Sequence, residues 1–268
     1  MCTYCSNHAL AELYERKRNY PRFRSPETCI QEIEEVVEEY SKRINFIWIL
    51  DDIFGLNNQW REEFCEKYKK RIKKKFMVQV RVEMANDYLF SLLKDAGCFR
   101  VLFGVESGNE KVRNEIMRRK MSNENIINAF DLCHKHGLET LALNIIGVPG
   151  ESEEMILDTL NLNRRLSPTK SAVNIFYPYR GTVLGDKCFK EGLVDEERFL
   201  EFSNERRETI LKYPEEHKKM LSHYYNNWAI LMDPNNIKLC LINILQTIGV
   251  GEFARRIKRR LFSSLTTK

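Results

Sequence analysis

Long apolar runs are missing from this sequence. Its most hydrophobic tract, Ile237 to Val250, is interrupted by Lys238, Asn243 and Gln246, and at about fourteen residues it falls short of the roughly twenty a membrane-spanning helix needs. That argues against an integral membrane protein. No apolar stretch follows the first residues, so no secretory signal is expected. An excess of one charge is also missing: 43 Lys and Arg against 38 Asp and Glu leave a net +5 over 268 residues. Such a balance tolerates an anionic partner without pointing to nucleic acid. Low-complexity segments are absent. The eight cysteines include one close pair, Cys2 and Cys5. The sparse spacing of the others speaks against a compact secreted disulfide scaffold and fits a reducing, cytoplasmic setting, with buried thiols as the default.

What is present is a soluble composition, 43% hydrophobic and 30% charged, at a length suited to one large α/β domain or one domain with an appendage. Ser25-Pro26-Glu27 is a helix start, with an N-cap, a proline at the first position and an early acid. That helix is expected to run to about Arg43. Ile44 to Leu50 is nearly all apolar, the pattern of a strand buried on both faces. A helix from about Asn58 to Lys74 follows, then a strand over Phe76 to Met84 and a helix capped by Asn86 that closes at Gly97. The unit repeats: a strand over Arg100 to Val105, helical segments near 109–118 and 122–136 with Gly137 as a left-handed stop, a strand over Thr140 to Ile146, a helix over Ser152 to Leu166 and a strand over Ala172 to Tyr177. Strands alternating with helices at this spacing predict parallel βαβ units, in which ligands bind at the carboxyl ends of the strands. Past about Gly181 the pattern predicts helices only: an amphipathic one over Asp195 to Tyr213, one from Pro214 to Trp228, and a basic amphipathic one over Phe253 to Phe262. Residues 1–182 are therefore expected to form the core and 183–268 a helical C-terminal extension.

Polar clusters fall at the predicted strand ends: Asp51-Asp52, Gln79/Arg81/Glu83, Glu106-Ser107 and the turn Gly147-Val148-Pro149-Gly150-Glu151. Residues 79, 81 and 83 share a strand face by the period of two. An internal ion-pair network of Arg81, Glu83 and Glu106 is one account of them, because buried charges require partners. A two-carboxylate hydrolase using Glu83 and Glu106 is another. The Cys2–Cys5 spacing is equally open on its own. A thioredoxin-like motif follows a strand, and none precedes this one. A zinc site asks for a second close pair, and an iron–sulfur site asks for more thiolates or an open position.

Read together, these motifs resemble a family. Cys2-Thr3-Tyr4-Cys5-Ser6-Asn7-His8 resembles the end of the CxxxCxxC loop of radical S-adenosylmethionine (SAM) enzymes. Agreement continues through Arg22-Phe23-Arg24-Ser25-Pro26-Glu27, Ile49-Leu50-Asp51-Asp52, Gln79-Val80-Arg81-Val82-Glu83, Gly104-Val105-Glu106-Ser107-Gly108 and Ile146-Gly147-Val148-Pro149-Gly150-Glu151, covering residues 1 to about 210. The likeness is greatest to the branch whose longer members carry an N-terminal cobalamin-binding domain. It implies a partial parallel (β/α) barrel holding a 4Fe–4S cluster, at which one electron cleaves SAM to methionine and a 5′-deoxyadenosyl radical. The outcome would be hydrogen abstraction or methyl transfer on an unknown small-molecule or lipid substrate, with cobalamin used only in a longer form.

By the same resemblance Cys2 and Cys5 match the second and third cluster ligands, and Tyr4 lies near the adenosine. Asp51 and Asp52 stand where an acid receives the methionyl amino group. Glu83, with Arg81 beside it, is a strand-end acid near the methionyl end, Glu106 matches the residue that holds the ribose hydroxyls, and Arg118 an arginine that pairs with the methionyl carboxylate. The catalytic residue for the substrate is not specified. An electron donor such as flavodoxin or ferredoxin is implied. The basic C-terminal helix fits peripheral contact with an anionic membrane, and no specific nucleic-acid partner is indicated. Two departures from the pattern stand out. The family's first cysteine belongs four residues before Cys2 and follows a first strand, so the chain as given is expected to load much less iron than a form extended upstream, and a non-catalytic fragment that keeps the fold is the alternative. Leu143 also stands where some branches carry an acid.

Overall fold

A computed structural model describes residues 2–13, 22–200 and 205–235. Strands β1 (Phe46–Ile49), β2 (Lys75–Gln79), β3 (Cys98–Glu106), β4 (Glu139–Ile146) and β5 (Lys170–Ile175) form one sheet in the order β1-β2-β3-β4-β5. All neighbouring pairs are parallel. Parallel neighbours in sequence order require a crossover each time. Helices α3 (Asn58–Arg71), α4 (Asp87–Asp95), α5 (Asn123–Lys135) and α6 (Glu153–Leu166) supply it. The sheet curls into a half-barrel, the α/β fold expected from the sequence.

The helix starts are chemically explicit. Side-chain oxygens of Asn57, Asn86, Ser122 and Ser152 accept hydrogen bonds from the backbone N–H groups of Trp60, Leu89, Asn125 and Met155. Each cap satisfies a donor that the helix itself leaves open and contributes about 1 kcal/mol. Preceding β1 are α1 (Asn7–Leu13) and α2 (Pro26–Tyr40), the latter capped by Ser25. Gly137 ends the α5 turn at φ +64°, a conformation glycine adopts without a Cβ penalty.

The main core lies between the sheet and its crossover helices, with Phe64 and Tyr68 of α3 packed against Phe54 and Phe76. A second layer covers the far side of β5. There α9 (Glu215–Met232) sets Leu221, Tyr224 and Trp228 against Ile146, Val173 and Ile175. Among the described residues no helix is long and apolar enough to cross a membrane. The tract Ile237 to Val250 and the basic segment Phe253 to Phe262 lie outside the described residues.

Several elements depart from expectation for identifiable reasons. The apolar run at β1 is not buried on both faces: β1 is an edge strand, with Trp48 48% and Leu50 76% exposed. The second strand stops at Gln79, and Val82–Met84 form a 3₁₀ turn, so residues 79, 81 and 83 do not share a strand face. The segment near 109–118 contains a five-residue π-helical turn, Val112–Ile116. Of the helix expected over Asp195 to Tyr213, the described residues form only α8 (Glu196–Phe199), which follows α7 (Val183–Lys190). Residues 205–213 form a turn and a short non-helical stretch, because backbone partners are available there. Arg206 O accepts from Ile175 N of β5 at 2.9 Å, and Leu211 bridges Val194.

Candidate functional site

A cavity of about 680 Å³ opens at the carboxyl ends of the strands. Its lining includes Cys2, Tyr4, Cys5, Asp52, Arg81, Glu83, Glu106 and Arg118. The structure thus brings together eight of the nine candidate residues. Asp51 faces an adjoining groove along β1, which shares Asp52, Asn7 and Ile53 with the cavity. Burial raises the Asp51 carboxyl above its ordinary value, and neighbouring Asp52 adds to the effect.

The cysteine segment is fastened through Thr3. Its N–H donates to Met117 O (3.0 Å), its hydroxyl to Ile116 O (2.7 Å), and its carbonyl accepts from Leu184 N at the start of α7 (2.7 Å). The Cys2-Thr3-Tyr4-Cys5 turn is therefore clamped between the π-helical turn and α7, with a thiol on either side of the clamp. Asn7 Nδ2 donates to Asp52 Oδ2 at 2.9 Å and ties α1 to the end of β1. Burial holds the Cys5 thiol above its ordinary pKa. Among the described residues no group of three His, Cys, Asp or Glu side chains completes a metal site.

Glu106 is placed by an irregular strand end. In the β3–β4 register Gly104 pairs with Leu143 and Glu106 with Asn144, leaving Val105 as the extra residue of a bulge. Glu106 itself has φ +66°, a conformation uncommon for a residue with a Cβ. The side chain folds back over Gly104, where an added Cβ would lie 2.2 Å from Glu106 Oε1 and 3.1 Å from Arg119 Nη2. Glu106 pairs with Arg119 at 3.4 Å. Burial raises the Glu106 carboxyl and the Arg119 charge opposes the rise. Burial also disfavours the Arg119 charge, but Glu106, Tyr4, Cys2 and Glu83 together outweigh it and hold that guanidinium above the ordinary arginine value. Tyr4 is buried beside this pair, and burial first, then Glu106, pushes its phenol well up. Neither the Tyr4 hydroxyl nor Arg119 Nε has a hydrogen-bond partner of good geometry. Two orphaned donors beside one carboxylate form a site that leaves polar groups for a ligand to satisfy.

Arg119 escaped the sequence reading, which singled out its neighbour Arg118. Which of two adjacent arginines turns inward depends on the loop, and that loop is built around Arg113. The fully buried Arg113 donates to Ser107 O (2.5 Å), Met121 O (2.8 Å) and Asn123 Oδ1 (2.9 Å). It staples the turn after β3 to the start of α5. Lys120, Tyr179 and Arg180 also line the cavity without having been anticipated. The expected network of Arg81, Glu83 and Glu106 is split: Arg81 pairs with Glu83 at 2.5 Å, while Glu106 goes to Arg119. Arg81 lowers the Glu83 carboxyl against the effect of its partial burial.

A parallel half-barrel with paired thiols and a carboxylate–arginine pair at its strand ends defines a class of cofactor-binding α/β proteins. Comparison with known proteins narrows the class. The sequence model of the radical SAM superfamily matches residues 1–162, and the chain belongs to that superfamily. Its members use a 4Fe–4S cluster and SAM. An uncharacterized methyltransferase of Pyrococcus horikoshii is 28% identical over 195 residues, 72% of this chain and 40% of that protein. The tRNA-2-methylthio-N(6)-dimethylallyladenosine synthase of Clostridium perfringens is 29% identical over 198 residues, 69% of this chain and 42% of the synthase. The chain spans less than half the length of these relatives. Among solved structures, the cobalamin- and cluster-bound radical SAM methyltransferase TsrM of Kitasatospora setae superposes with TM-score 0.54 at 18% identity, over 63% of this chain and 34% of TsrM. Coproporphyrinogen III oxidase of Escherichia coli superposes with TM-score 0.53 at 15% identity, over 78% of this chain and 46% of the oxidase.

Proposed function

We propose that this chain is the SAM-binding core of a radical enzyme that initiates hydrogen abstraction or methyl transfer on a small-molecule or lipid substrate. The observation that carries the reading is one cavity lined by both Cys2 and Cys5 and by the Tyr4–Glu106–Arg119 cluster with its two unsatisfied donors. The donor chemistry fits. Two thiols facing one space suit an iron–sulfur cluster and are two of the three protein ligands such a cluster takes in this superfamily. When bound, cluster and SAM together supply one-electron cleavage of a sulfonium carbon–sulfur bond, with the electron coming from a donor of the flavodoxin or ferredoxin kind.

The chain's own residues bind, orient and shield. Thr3 fixes the spacing of the two thiols. Glu106 accepts from the ribose hydroxyls, and Arg119 aims that carboxylate and favours its charged form against burial. Tyr4 closes the cavity wall next to the adenosine. Arg118 offers a guanidinium fork to the methionyl carboxylate, and Asp51 and Asp52 offer acids to its amino group, Asp52 from the cavity wall and Asp51 from the adjoining groove. The Arg81–Glu83 pair frames the same end. A hydrolase built on Glu83 and Glu106 finds no support in this arrangement, since each carboxylate is engaged by its own arginine.

Two observations favour a second reading, a chain that keeps the fold without turning over. Among the described residues no third metal ligand stands by, and no strand pairs with the outer side of β1. Equilibrium dialysis with SAM and anaerobic iron–sulfide reconstitution test both. The chain is expected to bind SAM, Glu106→Gln to weaken that binding about tenfold for one lost charged hydrogen-bond acceptor, and the double variant Cys2→Ala/Cys5→Ala to lose its iron. Absence of SAM binding in the unaltered chain overturns the first reading. SAM binding without any iron uptake favours the second.

A further inference from the structure

The cavity carries more positive charge than its proposed cofactors use. Arg81, Arg118, Arg119, Lys120 and Arg180 line it, against Asp52, Glu83 and Glu106. Glu83 neutralises Arg81 at 2.5 Å and Glu106 neutralises Arg119 at 3.4 Å. Asp52 is engaged by the Asn7 amide, and Arg118 is given above to the methionyl carboxylate. Lys120 and Arg180 remain, and neither makes a hydrogen bond or ion pair with any described residue.

Each is anchored, Lys120 through its backbone and Arg180 through its guanidinium. Lys120 has φ +24° and Arg118 φ +53°, a left-handed backbone that residues with a Cβ adopt mainly where surrounding structure imposes it. Here the buried Arg113 imposes it, since Arg119 N donates to Arg113 O (2.9 Å) and Arg113 grips Met121 O. Arg180 reaches the cavity from the other side of the sequence, in the turn after β5. Its guanidinium lies 3.6 Å from the ring centroid of Phe189 and 5.8 Å from that of Phe199. Stacking of this kind fixes the plane of the group while leaving its edge N–H donors free. The nearest acid in sequence, Asp186, is occupied in accepting from Gly181 N at 2.9 Å. Two cations on separate loops, facing one cavity with no carboxylate of their own, attract an anion that enters it.

We propose that Lys120 and Arg180 form an anion subsite at this cavity and receive an oxyanion group of the substrate, phosphoryl or carboxylate. The substrate is thus an anionic molecule whose charged end docks at these two side chains. The assignment rests on the reading that the same cavity holds SAM, and the experiment separates the two. The full chain is titrated calorimetrically with inorganic pyrophosphate and with malonate at low ionic strength, and SAM affinity is measured in parallel by dialysis. Saturable binding of at least one anion is expected, and the tighter of the two identifies the oxyanion. Arg180→Gln and Lys120→Gln should each weaken it about tenfold, the size of a charge-assisted hydrogen bond, with SAM affinity unchanged. A Lys69→Gln/Lys70→Gln control at the remote end of α3 should behave as the unaltered chain. Both tested residues are exposed, so loss of folding is not expected, and a thermal melt checks it. No saturable anion binding, equal loss in the Lys69/Lys70 control, or loss of SAM affinity in Arg180→Gln overturns the proposal. Anion binding with the expected variant pattern but no SAM binding sinks the SAM reading and leaves the subsite standing.

Discussion

The two edges of the sheet are finished differently. At the β5 edge, α9 lays Leu221, Tyr224 and Trp228 over the strand, Trp228 Nε1 donates to Ser171 Oγ at 2.8 Å, and the turn at Arg206 takes up a β5 N–H. At the β1 edge an equally apolar strand leaves Trp48 and Leu50 open, beside a groove of about 610 Å³ that also includes Phe23, Ile33, Ile49 and Trp60. An apolar run records that a strand can be buried, and only its neighbours decide whether it is. One edge therefore contributes to stability while the other is free to associate.

The largest effect expected from this contrast is on global stability. Trp228 is 3% exposed, and Trp228→Ala should cost about 3–5 kcal/mol, the range for deleting a buried aromatic. Trp48→Ala, at a half-exposed position, should cost under about 1 kcal/mol. Urea denaturation of both variants measures the difference. Equal costs would mean that the β1 edge is covered in solution.

The closed flank should also carry a pH dependence. Glu151, 3% exposed in the turn after β4, accepts from Gly147 N at 2.5 Å through Oε2, while its Oε1 has no partner. Burial pushes its pKa from an ordinary carboxyl value of 4.5 to about 8, against the pull of the Gly147 and Val148 N–H groups. A folded-state pKa raised above the unfolded value means the folded chain holds the extra proton. Its contribution is thus complete below about pH 4.5 and is lost as pH rises through about 8. One proton sets a ceiling of about 1.4 kcal/mol per pH unit on the slope. Glu151→Gln should flatten denaturation midpoints between pH 5 and about 9, and hydrogen exchange should place the alkaline loosening at the β4–α6 turn and α9 and not at β1. A slope that survives the substitution would assign the titration elsewhere.

Binding should respond to the interior of β3 more than fold stability does. Gly104→Ala sets a methyl group 2.2 Å from Glu106 Oε1. The clash is with a side-chain end, so stability should fall by less than about 1 kcal/mol, while the displaced carboxylate weakens SAM binding about tenfold. Dialysis and a thermal melt on the same sample separate these outcomes. Unchanged SAM affinity would remove Glu106 from the binding site.

Much of this architecture was legible in the chain. Asn86, Ser122 and Ser152 start their helices where the sequence puts them, and Gly137 closes α5, because caps and stops are local chemistry. The candidate cavity residues were found through motif resemblance, and the fold gathers all but Asp51 onto one surface. What local pattern does not encode is which neighbour a residue meets. The role of Arg119 depends on a bulge at Val105, a left-handed Glu106 and a buried Arg113 several residues away. The short α8 where a long helix was expected reflects backbone partners on β5 and at Val194, distant in sequence.

The smallest thermodynamic effect, and the sharpest use of the contrast, concerns Trp48 alone. Edge strands invite pairing through their unpaired N–H and C=O groups, and charged side chains are the usual means of discouraging it. Trp48 is 48% exposed and, among the described residues, β1 pairs only with β2, so a lysine there loses little burial, and the fold should keep its stability within about 0.5 kcal/mol. Its effect should instead be seen in concentration dependence. If the bare edge pairs or sticks, light scattering of the unaltered chain will rise with concentration and Trp48→Lys will suppress the rise, whereas a lysine at Leu157, exposed on the outer face of α6, will not. Equal suppression by both would trace the association to general surface hydrophobicity. No concentration dependence in the unaltered chain would show that β1, though uncovered, is as inert as the flank that α9 closes.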